Sequence, residues 1–225
     1  MVVPVARKMF HSADIDPLLT AIDAELVGNI EALMIGGGAM SLRGQKTATK
    51  DIDLVFVDNG HRKRFIDAIT KIGFRSLISP GEEYRKMGAR IYVDREERWL
   101  DIFNERICNM FLVHEGVLGR ASEYLALKRL RVLLMSPEDI FLSKSVTERD
   151  GDLEDMYTLF TRGLDERRII DEVAFQASRS NKIWESFLAL RLGELEEKYN
   201  VTVTFKARFE EAAVLRMEKL NGKNG

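Results

Sequence analysis

The stretch that most constrains this chain runs from Ile35 to Val57 and reads IGGGAMSLRGQKTATKDIDLVFV. A short apolar run, Ala32 to Ile35, enters three consecutive glycines, Gly36, Gly37 and Gly38. Ala39 to Leu42 suits a short helix, Arg43 to Lys50 is a polar loop, and Asp51 opens a second apolar run. This order predicts strand, glycine turn, short helix, loop and strand. The β-branched and aromatic residues between Asp51 and Val57 favour an extended conformation. Alternation then places Asp51 and Asp53 on one face, with Ile52 and Leu54 on the other.

Two residues along a strand advance roughly 6.6 Å. Carboxylates at that pitch can ligate one divalent ion or bracket a pair about 3.5–4 Å apart. Oxygen ligands without a neighbouring His or Cys suit Mg²⁺ or Mn²⁺ rather than Zn²⁺. Gly36 and Gly37 add a second ingredient, because a backbone without Cβ lets N–H groups approach an anion closely and the N–H groups opening a helix attract phosphate. Together these features point to a nucleoside triphosphate site. Competing phosphate motifs fit worse: the Gly-Lys-Ser/Thr of a P-loop is lacking, and the glycines do not follow the G-x-G-x-x-G order of a dinucleotide fold.

Ile35-Gly36-Gly37 and Asp51-Ile52-Asp53-Leu54, separated by residues 38–50, resemble the signature of the polymerase β-like nucleotidyltransferase superfamily. The spacer stands at the long end of the range that signature allows. The resemblance implies that Asp51 and Asp53 hold metal ions and that Gly36 and Gly37 seat the phosphates.

Upstream, a helix is expected from Ile15 to Val27; downstream, another is expected from His61 to Ile72, with Phe74 to Ile78 as a strand and Ser79 to Gly88 as a mobile loop. His61 reads as part of a solvated helix face. Ala89 to Asp94 and Arg98 to Phe103 form a strand pair. In Trp99-Leu100-Asp101-Ile102-Phe103, Trp99, Asp101 and Phe103 share a face. An acid between apolar residues is costly to bury without a partner or a metal, and the resemblance makes Asp101 the third carboxylate. Trp99 or Phe103 is available to stack a base, with core packing the simpler role. Residues 104–135 resist assignment beyond a strand at Val132 to Met135.

Ser136-Pro137-Glu138-Asp139 announces a helix, with Ser136 as cap, Pro137 in the first turn and acids at the N-terminus. It would carry Lys144. A following helix places Asp152 and Asp155 on one face at i, i+3. This arrangement is similar to the C-terminal signature of prokaryotic nucleotidyltransferases related to abortive-infection toxins. The likeness implies that Lys144 neutralises triphosphate oxygens and that Asp152 or Asp155 orients Lys144 or the acceptor. Glu166 to Ser178, Ile183 to Tyr199 and Arg208 to Leu220 follow as amphipathic helices.

Composition sets bounds on all this. A net charge of −2, from 34 basic and 36 acidic residues, argues against bulk electrostatic binding of long nucleic acid. The single cysteine, Cys108, precludes an intrachain disulfide and reads as a small buried hydrophobe. The N-terminal apolar run is broken by Pro4, Arg7 and Lys8, so neither a signal peptide nor a membrane span is expected, and the protein is expected in the cytoplasm.

The expected fold is therefore α+β: a nucleotidyltransferase-like mixed β-sheet flanked by helices over residues 1–135, and a helical C-terminal region over residues 136–225. The expected function is transfer of a nucleotidyl group from a nucleoside triphosphate to an acceptor, using Mg²⁺ or Mn²⁺ held by Asp51, Asp53 and Asp101. The toxin-like resemblance implies tRNA as acceptor and an antitoxin partner. The alternative is a non-catalytic nucleotide-sensing or partner-binding module with the same fold.

Overall fold

The computed structural model describes residues 7–77, 88–147, 149–180 and 183–221. The chain forms two compact units, one ending at Ser136 and the other beginning at Pro137.

In the first unit the helices are α1 (Ser12–Glu25), α2 (Gly36–Leu42), α3 (Asn59–Lys71) and α4 (Glu115–Arg120). The strands are β1 (Phe10–His11), β2 (Ile30–Ile35), β3 (Ala48–Thr49), β4 (Ile52–Val55), β5 (Arg75–Ser76), β6 (Arg90–Val93), β7 (Trp99–Phe103), β8 (Arg106–Ile107), β9 (Phe111–Leu112), β10 (Ser122–Ala126) and β11 (Leu130–Leu134). Among the described residues the main sheet has seven strands in the order β10-β11-β2-β4-β7-β6-β5. It is mixed: β11 with β2 and β4 with β7 are parallel, while β2 with β4 and β6 with β7 are antiparallel. Every residue of β4 and of β7 is buried. That explains their near-continuous apolar sequences, since a central strand covered on both sides has no wet face to furnish with polar residues.

The elements differ from the sequence reading in instructive ways. α1 starts at Ser12, so Pro17 lies beyond its first turn and the helix forgoes the bond that a prolyl N–H cannot make. α3 begins after Asp58, whose carboxylate accepts the His61 N–H at 2.8 Å. That bond, the largest influence on Asp58, holds its carboxyl below the ordinary value. His61 is half-buried and its Nδ1 accepts the Glu31 N–H at 3.2 Å, so it ties α3 to β2 instead of lying on a solvated face. Cys108 is half-buried in the tight turn between β8 and β9, where it and Asn109 both take positive φ. The loop expected from Ser79 falls, up to residue 87, outside the described residues.

In the second unit α5 (Pro137–Ser145), α6 (Asp150–Thr161), α7 (Glu166–Ser178), α8 (Trp184–Tyr199) and α9 (Lys206–Asn221) pack together. Their core contains Ile140, Leu159, Ile169, Trp184, Leu188 and Leu192, each fully buried. No helix among the described residues is long and apolar enough to cross a membrane.

Candidate active site

β2 delivers the chain directly into α2, whose first three residues are the glycines. The glycines are thus the opening turn of the helix, not a turn preceding it. Gly36 takes φ +57°, a conformation that side chains with a Cβ resist. A Cβ built there would lie 2.6 Å from Asp53 Oδ2, well inside contact distance. A Cβ on Gly37 would strike the Thr49 hydroxyl. That hydroxyl donates to the Asp51 carbonyl at 3.0 Å. The glycine run is therefore shaped around the acidic segment: one glycine yields to a carboxylate, the next to the threonine that braces the strand entry.

Ile35, Asp53 and Asp101 form one row across β2, β4 and β7, being register partners in successive pairs. Partners in register point to the same face, so the Asp53 and Asp101 side chains stand side by side. Both are buried, Asp101 completely. Two adjacent buried carboxylates repel one another, and a cation between them offsets that cost. The pair offers oxygen donors alone, which fits a hard divalent ion.

Asp51 behaves differently. It lies just before β4 instead of opening it, and its Oδ2 pairs with Arg7 Nη1 at 3.0 Å. The Arg7 guanidinium also sits over the Trp99 ring, 4.1 Å from its centroid. Trp99 is buried, its indole face covered by this arginine. Among the described residues no group of three or more His, Cys, Asp and Glu is arranged to hold a metal ion. The structure thus brings Asp53 and Asp101 together beside Gly36, whereas Asp51 is engaged by Arg7.

The remaining expected residues cluster together within the helical unit. Lys144 Nζ lies 2.6 Å from Asp152 Oδ1 and 2.8 Å from Asp155 Oδ2. Thr147 Oγ1 bonds Asp152 Oδ2, and Arg149 Nε approaches the same oxygen at 3.2 Å. All but Arg149 are buried. Burial opposes the ammonium, yet the Asp152 and Asp155 charges outweigh it and raise the Lys144 pKa. Burial likewise pushes Asp152 up, but Lys144 and Arg149 prevail and hold it below the ordinary value. The spacing that placed Asp152 and Asp155 on one face was informative, because both reach the same ammonium from successive turns.

Arg7, Thr49 and Thr147 were not marked by the sequence. The Arg7–Asp51 contact spans 44 positions, and no local periodicity signals such a pairing.

Residues 13–187 match the family model described as "Nucleotidyltransferase of unknown function (DUF6036)". The match covers both the glycine–aspartate stretch and the Lys144 cluster. A comparison with curated proteins finds no match.

Proposed function

The chain belongs to this family of nucleotidyltransferases of unknown function, and from that premise we propose that it transfers a nucleotidyl group from a nucleoside triphosphate to an acceptor, with a divalent cation held by Asp53 and Asp101. The observation that carries this reading is the pairing of those two buried carboxylates, in register on neighbouring strands, against the Cβ-less backbone of Gly36.

In this reading Asp53 and Asp101 would hold Mg²⁺ or Mn²⁺, with Asp51 as a further ligand once free of Arg7. Bound there, the cation would neutralise phosphate charge and ease loss of the acceptor proton. Gly36 and Gly37 would present backbone to the phosphates, and their lack of side chains leaves room for Asp53 and Thr49. Asp101, deepest of the three, would complete the ligand set and could assist loss of the acceptor proton. Lys144 has a positioning role: its charge is met by Asp152 and Asp155, so it pins α5 to α6, and a direct contact with departing pyrophosphate would require those partners to yield. A tRNA acceptor and an antitoxin partner follow from the toxin-like resemblance and are part of the proposal.

Incubation with labelled triphosphates, Mg²⁺ and either tRNA or total cell extract tests the reading. Wild type should transfer label and Asp53→Ala should not. Absence of transfer by wild type, or equal transfer by both, would count against it. One observation favours the non-catalytic alternative, namely that Asp51 is already neutralised by Arg7. Calorimetry separates the two: triphosphate binding without pyrophosphate release across many acceptors supports the sensing module.

A further inference from the structure

The segment that carries Arg7 is fastened at two places. Residues Phe10 and His11 pair as a short antiparallel ladder with Ala48 and Thr49, immediately before Asp51. One step upstream, the Lys8 N–H donates to the Glu97 carbonyl at 3.1 Å and Lys8 Nζ pairs with Glu96 at 3.1 Å, both in the turn between β6 and β7. The backbone therefore crosses from the β3 side to the β6–β7 turn. Arg7 is thereby laid over the row next to the Asp53–Asp101 pair, bonded to Asp51 and stacked on Trp99. Side-chain exposures of 20% for Arg7 and 14% for Asp51 remove the pair from most of the screening that weakens surface ion pairs.

We infer that residues 7–11 form a strap whose Arg7 competes with the divalent cation for Asp51, so that cation binding releases the arginine from both Asp51 and Trp99. The inference rests on the reading of Asp51 as a member of the cation-holding set. The physical ground is charge. A guanidinium and a divalent ion cannot both hold one carboxylate at close range without mutual repulsion, and the doubly charged ion, backed by Asp53 and Asp101, is the stronger suitor. The strap would then keep the acidic row neutralised before ligand arrives and uncover the Trp99 face when it does. Lys8 has no counterpart role, because its partner Glu96 lies in the exposed turn.

The test uses the full chain and Mn²⁺ alone as probe. Mn²⁺ affinity is measured by electron paramagnetic resonance for wild type, Arg7→Ala and Arg7→Lys, with Asp53→Ala as the blank. Loss of a partly buried competitor should tighten binding by about three- to tenfold in Arg7→Ala, whereas Arg7→Lys, which retains the charge, should stay near wild type. Independently of affinity, saturating Mn²⁺ should speed tryptic cleavage after Arg7 in wild type, read by mass spectrometry of the N-terminal peptide. Equal affinities together with unchanged cleavage would overturn the strap while leaving the cation site standing. If neither wild type nor Arg7→Ala binds Mn²⁺ at millimolar concentration, the cation site falls, and the strap with it.

Discussion

Gly36→Ala is the most direct probe of how the glycine run and the carboxylate pair depend on each other. The new methyl group would sit 2.6 Å from Asp53 Oδ2, so the carboxylate must retreat by roughly 0.8 Å to reach ordinary contact. Its strand lies between β2 and β7, and retreat from Gly36 drives it toward Asp101, a like charge. Holding alanine at φ +57° adds about 1–2 kcal/mol, and pushing Asp53 off its rotamer adds about 0.5–1.5 kcal/mol. The combined destabilisation, about 1.5–3.5 kcal/mol, corresponds to a Tm reduction of roughly 3–14 °C for a chain of this size. The catalytic effect should be larger, because a displacement near 1 Å costs about 100-fold in rate. The assay pairs thermal unfolding, followed by circular dichroism, with label transfer from nucleoside triphosphate. Gly119→Ala is the control: it lies within α4, nothing stands within 4 Å of its Cβ position, and alanine there should be neutral or slightly stabilising. If Gly36→Ala matches wild type in both Tm and transfer, the close approach of Asp53 to the glycine backbone is wrong, and the argument for the site goes with it.

Other outcomes are expected. Asp101→Asn keeps the shape of the buried row while removing one charge, so transfer and Mn²⁺ binding should both be lost with Tm unchanged or raised, measured as above. Lys144→Met removes the buried ammonium that Asp152 and Asp155 share and should cost the helical unit about 3–5 kcal/mol in urea unfolding. The pH dependence has a definite sign. Lys144, raised in the folded state, contributes stability below the ordinary lysine pKa that is lost as pH rises through its higher folded value. Asp152, lowered, contributes above the ordinary carboxylate pKa and loses it as pH falls through its folded value. Lys144→Met should therefore flatten the alkaline arm of the stability profile. Tyr124 donates to Asp16 Oδ1 at 2.8 Å, and burial together with that bond pushes its phenol up to about 12. Ultraviolet titration should show one tyrosine ionising near that value, and Tyr124→Phe should abolish it.

Much of the fold was legible because its periodicities are local. Glu166 to Ser178 emerges as the helix that its apolar spacing requires, and the Trp99 to Phe103 alternation lies within a strand. The region 104–135 was opaque for a physical reason. It contains two-residue strands, a one-and-a-half-turn helix and an edge hairpin, none long enough to establish a period. The turn at Cys108 and Asn109 carries positive φ on both residues, and cysteine, unlike asparagine or glycine, does not advertise it. The start of α2 was misplaced by three residues because glycine has poor helix propensity. Only the closeness of Asp53 and Thr49 explains why glycine opens the helix.

By itself the sequence determined which residues carry acid, which lack a side chain and which must be buried, since these are properties of composition and short-range spacing. It thereby marked Asp51, Asp53 and Asp101 as acids at or within apolar extended segments. Tertiary structure alone decided which of those acids stand together. Strand order sets β7 beside β4 in parallel register, so Asp53 meets Asp101. The N-terminal segment, fastened by contacts 36 to 88 positions away, brings Arg7 onto Asp51 and divides a triad that looks uniform on paper. Register and long-range ion pairs are cooperative outcomes of packing the whole sheet, and no window of the chain contains them.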